Sequence, residues 1–191
     1  KQNKFDFFCD LIITKKALEQ WRQGLQKPDC RRINSGVLAV MSQTAIVAGG
    51  CFWGMEAKFQ KLAGVLDTEV GYIGGHVEDP TYREVCQDKT GHVEAVKIEF
   101  DPSVISYTEL IQAFFNFHDP TLCDDNCRSQ SSQYRSIIFA MDKEQEKTAQ
   151  TVLDQVKHSD KFECRVVTTI RPRTTFYLAE EYHQDYYKKH N

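Results

Sequence analysis

The stretch Thr44–Leu62, "TAIVAGGCFWGMEAKFQKL", decides how the chain is read. Its opening run, TAIVA, is continuously apolar, as in a strand buried on both faces. From Cys51 to Leu62 the period changes, and Phe52, Met55, Phe59 and Leu62 fall on one stripe of a helix. Gly49 and Gly50 stand between the two patterns, where the chain must turn sharply. A strand, a turn and a helix therefore meet at Cys51. The first amides of that helix, from Phe52 to about Gly54, have no partner within it and point toward the thiol, and the helix dipole adds positive potential. Both effects favour the thiolate, so the sequence predicts an activated nucleophile. A helix-start cysteine that is merely packed satisfies the same spacing.

The alternation of strands and helices continues outward from this unit. Residues 65–72 alternate, with Leu66, Val70 and Tyr72 on one face, and a long connection with a short helix near Tyr82–Gln87 follows. Residues 92–100 alternate again. "SYTELIQAFFNFH" (106–118) reads as a helix opened by a Ser106 cap with Glu109 three positions later, a capping box. Residues 136–141 form a buried strand, 143–158 a helix with Ala149, Val152, Leu153 and Val156 inward, and 164–170 a last strand. The order from Thr44 is β-α-β-β-α-β with an extra helix and strand. It predicts an α+β fold, a two-layer ferredoxin-like split β-α-β sandwich with an irregular C-terminal segment. Residues 44–191 are the expected catalytic domain. Residues 1–43 are set apart as an N-terminal extension of unknown role, in which Leu18, Trp21 and Leu25 recur at helical spacing.

Composition narrows the classes. The 191-residue chain is 41% hydrophobic and 27% charged, so it reads as a soluble globular protein. A net charge of -3 gives no reason to expect nucleic acid or an anionic membrane as partner. No apolar run approaches the roughly 20 residues of a membrane span, and the N-terminus is a poor signal or transit peptide. The seven cysteines are odd in number, which disfavours a disulfide scaffold and suits reduced thiols in a cytoplasmic protein. A monomer is expected.

Glu94 sharpens the chemistry. In "HVEAVKIEF" a period of two puts it on one face with Val96, Ile98 and Phe100, while Lys97 and Glu99 take the other. A carboxylate on an apolar face is costly if ionised, so burial raises its pKa and makes it a general acid near neutral pH. A Glu at a strand end that reaches water fits the pattern too. A cysteine and a proton donor suit a substrate whose oxygen leaves as water while sulfur attacks. Trp53 lies off the Phe52 stripe and so faces a site more readily than the core.

These residues resemble the A-type peptide methionine sulfoxide reductases. "GGCFWGMEA" is similar to that family's signature. "VGYIGG" (70–75), "PTYREVC" (80–86), "TGHVEAVKIEFDP" (90–102), "FFNFHDPT" (114–121), "QYRSIIF" (133–139) and "AEEYHQDYY" (179–187) are similar to its blocks in order and spacing, across about residues 44–188. Enzymes of this class return methionine sulfoxide to methionine, one enzyme per epimer. The resemblance implies that Cys51 attacks the sulfoxide sulfur and Glu94 protonates the oxygen. It implies that Tyr82 and Tyr134 hydrogen-bond that oxygen, Phe52 and Trp53 hold the methyl group, and His183 and Tyr186 support the site. Cys51 becomes a sulfenic acid and an external thiol, typically thioredoxin, restores it, so that over the cycle the oxygen leaves as water. No cofactor and no metal are implied.

Two departures from the family's pattern bear on this. Ser129, in "LCDDNCRSQSS", falls where the family has an aspartate that helps bind the substrate backbone, and no cysteine follows Cys164 to act as a resolving thiol in a C-terminal tail. Cys123 and Cys127 are either two ordinary loop thiols or the candidate resolving pair; their spacing after His118 also resembles a metal site, without a second ligand pair to complete it. The other readings are a catalytically impaired relative that binds oxidised peptides and a thiol peroxidase, the second of which needs neither the paired aromatics nor Glu94.

Overall fold

Strand β1 (Gln43–Ala48) runs between β3 (Val93–Phe100) and β5 (Ile137–Ala140), antiparallel to both. Neighbours on each side explain its unbroken apolar run, since Ala45 to Ala48 are buried on both faces. The computed structural model describes residues 41–122 and 132–190. Val40–Asn191 group as one compact unit. The fold is mixed α and β. Its main sheet has six strands in the order β7-β5-β1-β3-β2-β8, where β2 is Val65–Ile73, β7 Thr169–Pro172 and β8 Phe176–Leu178. All pairings are antiparallel except β5 with β7. A two-stranded sheet joins β4 (Thr121–Leu122) to β6 (Arg165–Val166).

Strand alternation divides the core. Val47, Val70, Tyr72, Val96, Ile98, Phe100 and Ile138 pack with helices α1 (Phe52–Phe59), α3 (Tyr107–Phe117) and α4 (Lys143–Lys157). Ile46, Ala48, Ile73, Val93, Ala95, Ile137 and Phe139 form a smaller cluster on the opposite face. Glu94 has the parity of Val96 and Ile98, so it belongs to the helix-bearing face. Two short helices complete the fold, α2 (Tyr82–Cys86) and α5 (Tyr186–His190). Among the described residues no helix is long and apolar enough to cross a membrane.

Local chemistry fixes the helix starts. Ser106 and Glu109 form the expected capping box, Thr81 and Glu84 form another at α2, and Asp142 caps α4. Three readings need correction. The first helix closes at Phe59, short of Leu62. Leu66 is exposed although Val70 and Tyr72 are buried, because a register shift between Val65 and Asp67 breaks the alternation. The single strand expected at 164–170 is split in two, because β6 pairs with β4 while β7 crosses to β5. The irregular C-terminal segment contains β8 and α5, too short to show a period.

The glycines before Cys51 do different work. Gly50 has φ +93° with open space where a side chain would go, so it is there for backbone conformation. A Cβ on Gly49 would lie 2.8 Å from the Phe114 ring and 2.9 Å from His118, so Gly49 is there for close packing. Gly50→Val should therefore destabilise by roughly 1–2 kcal/mol, and Gly50→Asn by less, because asparagine tolerates positive φ. Urea unfolding midpoints check this; equal losses for Asn and Val would contradict a conformational role.

Candidate active site

Cys51 is the N-cap of α1, at φ −61° and ψ 122°, and its side chain makes no capping bond. The thiol is free and exposed. Directly after it, the Phe52 N–H donates to Glu94 Oε2 at 3.1 Å. This bond joins the start of α1 to β3 and sets the carboxyl of Glu94, 1% exposed, beside the cysteine. Burial pushes Glu94 up to about 7, against the opposing pull of the Phe52 N–H. Near neutral pH a large fraction of Glu94 is thus an uncharged acid, with one oxygen held and the other able to carry a proton.

The thiol behaves otherwise than the helix-start reading predicts. The N–H groups of Trp53 and Gly54 do favour the thiolate, but the surrounding chain on the protein side of the sulfur raises the Cys51 pKa, and the charge of Glu94 raises it further. Desolvation outweighs the helix terminus, so the resting group is a thiol, open to solvent on one side.

Around this pair lies an aromatic enclosure. His183, 1% exposed, has ring centroids at 5.1 Å from Phe52, 5.5 Å from Trp53, 4.5 Å from Tyr82 and 4.1 Å from Tyr182. The Trp53 indole N–H donates to His183 Nδ1 at 3.1 Å, which assigns the imidazole proton to Nε2. Burial lowers the His183 pKa, consistent with a neutral ring. Tyr186 stacks flat on Trp53, with centroids 3.9 Å apart and planes at 10°. Phe52 is buried behind this wall, whereas Trp53 is half-buried.

Two tyrosine hydroxyls share the electrostatic field of the carboxyl. Tyr134, in the 3-10 turn Ser132–Tyr134, has its pKa raised by burial and then by Glu94, with Cys51 adding to it. Tyr82 is raised by burial, by its hydrogen bond with Cys86, and by the charges of Cys86, Glu94 and Tyr134. Both hydroxyls therefore keep their protons as donors. The structure brings Cys51, Glu94, Phe52, Trp53, Tyr82, Tyr134, His183 and Tyr186 into one connected region. Cys123, Cys127 and Ser129 lie outside the described residues. His118 engages both ring nitrogens, with Phe114 O at 2.9 Å and Ser136 Oγ at 2.7 Å, which leaves neither for a metal. Among the described residues no group of three or more His, Cys, Asp or Glu side chains is placed to hold a metal ion. Cys51 and Cys86 are free thiols, but Cys164 is disulfide-bonded, so the expectation of reduced thiols does not extend to it.

Sequence reading missed two supports. Glu180 Oε1 accepts the Tyr82 N–H at 2.9 Å, and its Oε2 accepts the Tyr72 hydroxyl at 2.9 Å. It also lies 3.9 Å from His183 Nε2. Burial alone would raise Glu180, yet these donors hold its pKa below the ordinary value. Tyr72 reads in sequence as a core residue and Glu180 sits in a segment without a period; both fall in blocks similar to the family's, "VGYIGG" and "AEEYHQDYY", which by themselves give neither residue a role.

A profile of the family described as peptide methionine sulfoxide reductase matches residues 43–191. Over 146 residues the chain is 50% identical to the peptide methionine sulfoxide reductase MsrA of Deinococcus radiodurans, covering 76% of this chain and 71% of that one. Among solved structures it is similar to Mxr1 of Saccharomyces cerevisiae in reduced form, with a TM-score of 0.70 at 32% identity over 78% of this chain and 85% of that one. It is also similar to Mxr1 in complex with Trx2, with a TM-score of 0.53 at 26% identity over 76% of this chain and 84% of that one.

The electrostatics of the cysteine are testable without substrate. Alkylation of Cys51 by iodoacetamide as a function of pH should show a titration midpoint above the ordinary thiol value. Glu94→Gln should lower that midpoint, because it removes a negative charge that raises the thiol pKa. A midpoint that rises in the variant would contradict this geometry.

Proposed function

This chain belongs to the peptide methionine sulfoxide reductase family, and we propose that Cys51 is its nucleophile and Glu94 the acid that protonates the sulfoxide oxygen. The observation that carries the assignment is the hydrogen bond from Phe52 N–H to a buried carboxyl beside an exposed thiol. The substrate is methionine S-sulfoxide, free or in proteins. As the Cys51 sulfur attacks the substrate sulfur, Glu94 supplies a proton to the oxygen, and the hydroxyls of Tyr82 and Tyr134 donate hydrogen bonds to it. Two electrons pass from the cysteine to the substrate. The net products are the thioether and a sulfenic acid on Cys51, so atoms balance with the thiol proton retained on oxygen.

The aromatic enclosure holds the methyl group. Trp53 forms the open wall and Phe52 backs it, while His183 fixes the indole through its N–H and Tyr186 covers the other ring face. An apolar wall opposite polar donors discriminates the two arms of a sulfoxide, and so its epimers.

An external thiol completes the cycle, releasing water as the sulfenic acid is reduced. The related Mxr1 has been solved with Trx2, a thioredoxin, which supports thioredoxin as the reductant here. From sequence alone we assign Cys123 and Cys127 as the pair that relays the oxidation from Cys51 to that reductant. We further read residues 44–191 as the catalytic domain, a cytoplasmic monomer. The antiparallel order β5-β1-β3-β2 supports its description as a split β-α-β sandwich.

One assay of methyl sulfoxide turnover with dithiothreitol tests the assignment. Cys51→Ser should abolish reduction with the fold intact. Glu94→Gln should slow single turnover on the order of 10²–10⁴-fold, the range for a general acid. Substantial turnover by Cys51→Ser, or a wild-type rate in Glu94→Gln, would overturn it. Cys123→Ser/Cys127→Ser should keep the first turnover, lose thioredoxin-driven cycling, and leave Cys51 as sulfenic acid by mass spectrometry. A wild type that itself stops at sulfenic acid would exclude a resolving pair.

A further inference from the structure

A second buried carboxyl lies on α1 and takes no part in the chemistry above. Glu56 is 1% exposed and follows Trp53 by three residues, on the same side of the helix. It accepts a hydrogen bond from Thr68 Oγ1 at 3.3 Å, and the backbone N–H of Asp185 lies close enough to draw its pKa down. Gln60, one turn further along, donates to Thr68 Oγ1 at 2.8 Å and to Asp185 Oδ1 at 2.7 Å. Helix α1 thus meets Asp185 twice, with the Glu56 carboxyl beside its backbone N–H and with Gln60 bonded to its side chain.

Asp185 needs such a grip. It has φ 51°, a left-handed conformation that costs a non-glycine residue free energy unless its surroundings enforce it. The next residue is Tyr186, whose ring lies on Trp53; two residues earlier is His183, which accepts the Trp53 N–H. The turn at Asp185 therefore sets both faces of the contact with the indole. Gln184 is pinned as well, by Val70 and Ala179, so the segment has few other ways to sit.

The two carboxyls have been pushed apart in charge. Burial and the nearby Asp185 raise Glu56 to about 7, whereas Lys188 and Gln60 keep Asp185 below its ordinary value. A leucine at position 56 would avoid the desolvation cost but would take away the carboxyl beside the Asp185 N–H and the acceptor of the Thr68 hydroxyl.

We propose that Glu56 is a positioning residue that holds the Trp53 indole through the Asp185 turn. The claim that this matters to sulfoxide binding rests on the reading of Trp53 as the pocket wall.

The experiment separates these two claims. In ¹⁵N-labelled protein the Trp53 indole N–H resonance, assigned with Trp53→Phe, reports its bond to His183. Glu56→Ala should move that resonance toward the position of a solvent-exposed indole. Glu56→Gln keeps a carbonyl oxygen for the Thr68 hydroxyl and beside the Asp185 N–H, and should leave the resonance in place. Gln60→Ala, a milder change to the same grip, should move it in the same direction as Glu56→Ala, and serves if that variant fails to fold. With a methyl sulfoxide, KM should rise about tenfold in Glu56→Ala while the saturated single-turnover rate stays within about threefold, the pattern of lost binding without lost chemistry. An unmoved indole resonance in folded Glu56→Ala and in Gln60→Ala overturns the proposal, as does a Glu56→Gln spectrum displaced as far as that of Glu56→Ala. A displaced resonance with unchanged KM upholds the positioning by Glu56 and refutes the pocket reading of Trp53.

Discussion

The bond from Phe52 N–H to Glu94 Oε2 is the constraint on which the site depends. It uses an amide that the first turn of α1 cannot satisfy internally and a carboxyl that the sheet cannot hydrate. Each group answers the other's deficiency. Glu94 is thereby placed at the start of the helix that carries the cysteine, yet remains dry enough to keep a proton near neutral pH. The cost appears in linkage. Its folded pKa lies above the ordinary carboxylate value of 4.5, so its contribution to stability is fully present below that value and is lost as pH rises through about 7. Function draws on a group that makes the alkaline protein less stable.

The same desolvation acts on the thiol in the opposite functional sense. A helix start ordinarily favours a thiolate, but burial and a neighbouring carboxyl both favour the protonated thiol. The resting sulfur is then a thiol, and Glu94 keeps its proton in a large fraction of molecules near neutral pH. In the proposed reaction charge develops only as sulfur attacks and oxygen takes the proton of Glu94, beside the N–H groups of Trp53 and Gly54 that favour a charged sulfur. Preorganised donors, rather than a standing thiolate, are what the geometry provides.

Much of this was legible in the sequence because it is local. The strand–turn–helix around Cys51 shows as a change of period at two glycines, and the burial of Glu94 shows as parity with Val96, Ile98 and Phe100. What was not legible depends on contacts between distant segments. Leu66 was misread because a bulge is invisible to simple alternation. Glu180 and Tyr72 gain their meaning only when β8 pairs along β2 and carries the following segment over the site. Nothing local marks Glu56, whose burial depends on segments as distant as Asp185. The direction of the Cys51 pKa was misjudged for a related reason: the helix amides are visible in sequence, but the chain that desolvates the sulfur is not.

The protonation state of Glu94 tests the account most directly. Infrared difference spectra of wild type and Glu94→Gln, recorded across a pH titration, isolate its carboxylic acid carbonyl band from that of Glu56. The account predicts a Glu94 band in a low-polarity environment that persists at mildly acidic pH and fades with a midpoint near 7. A band that disappears with a midpoint in the ordinary range of about 4 to 5 would mean an ionised Glu94 at neutral pH and would contradict its role as the proton donor.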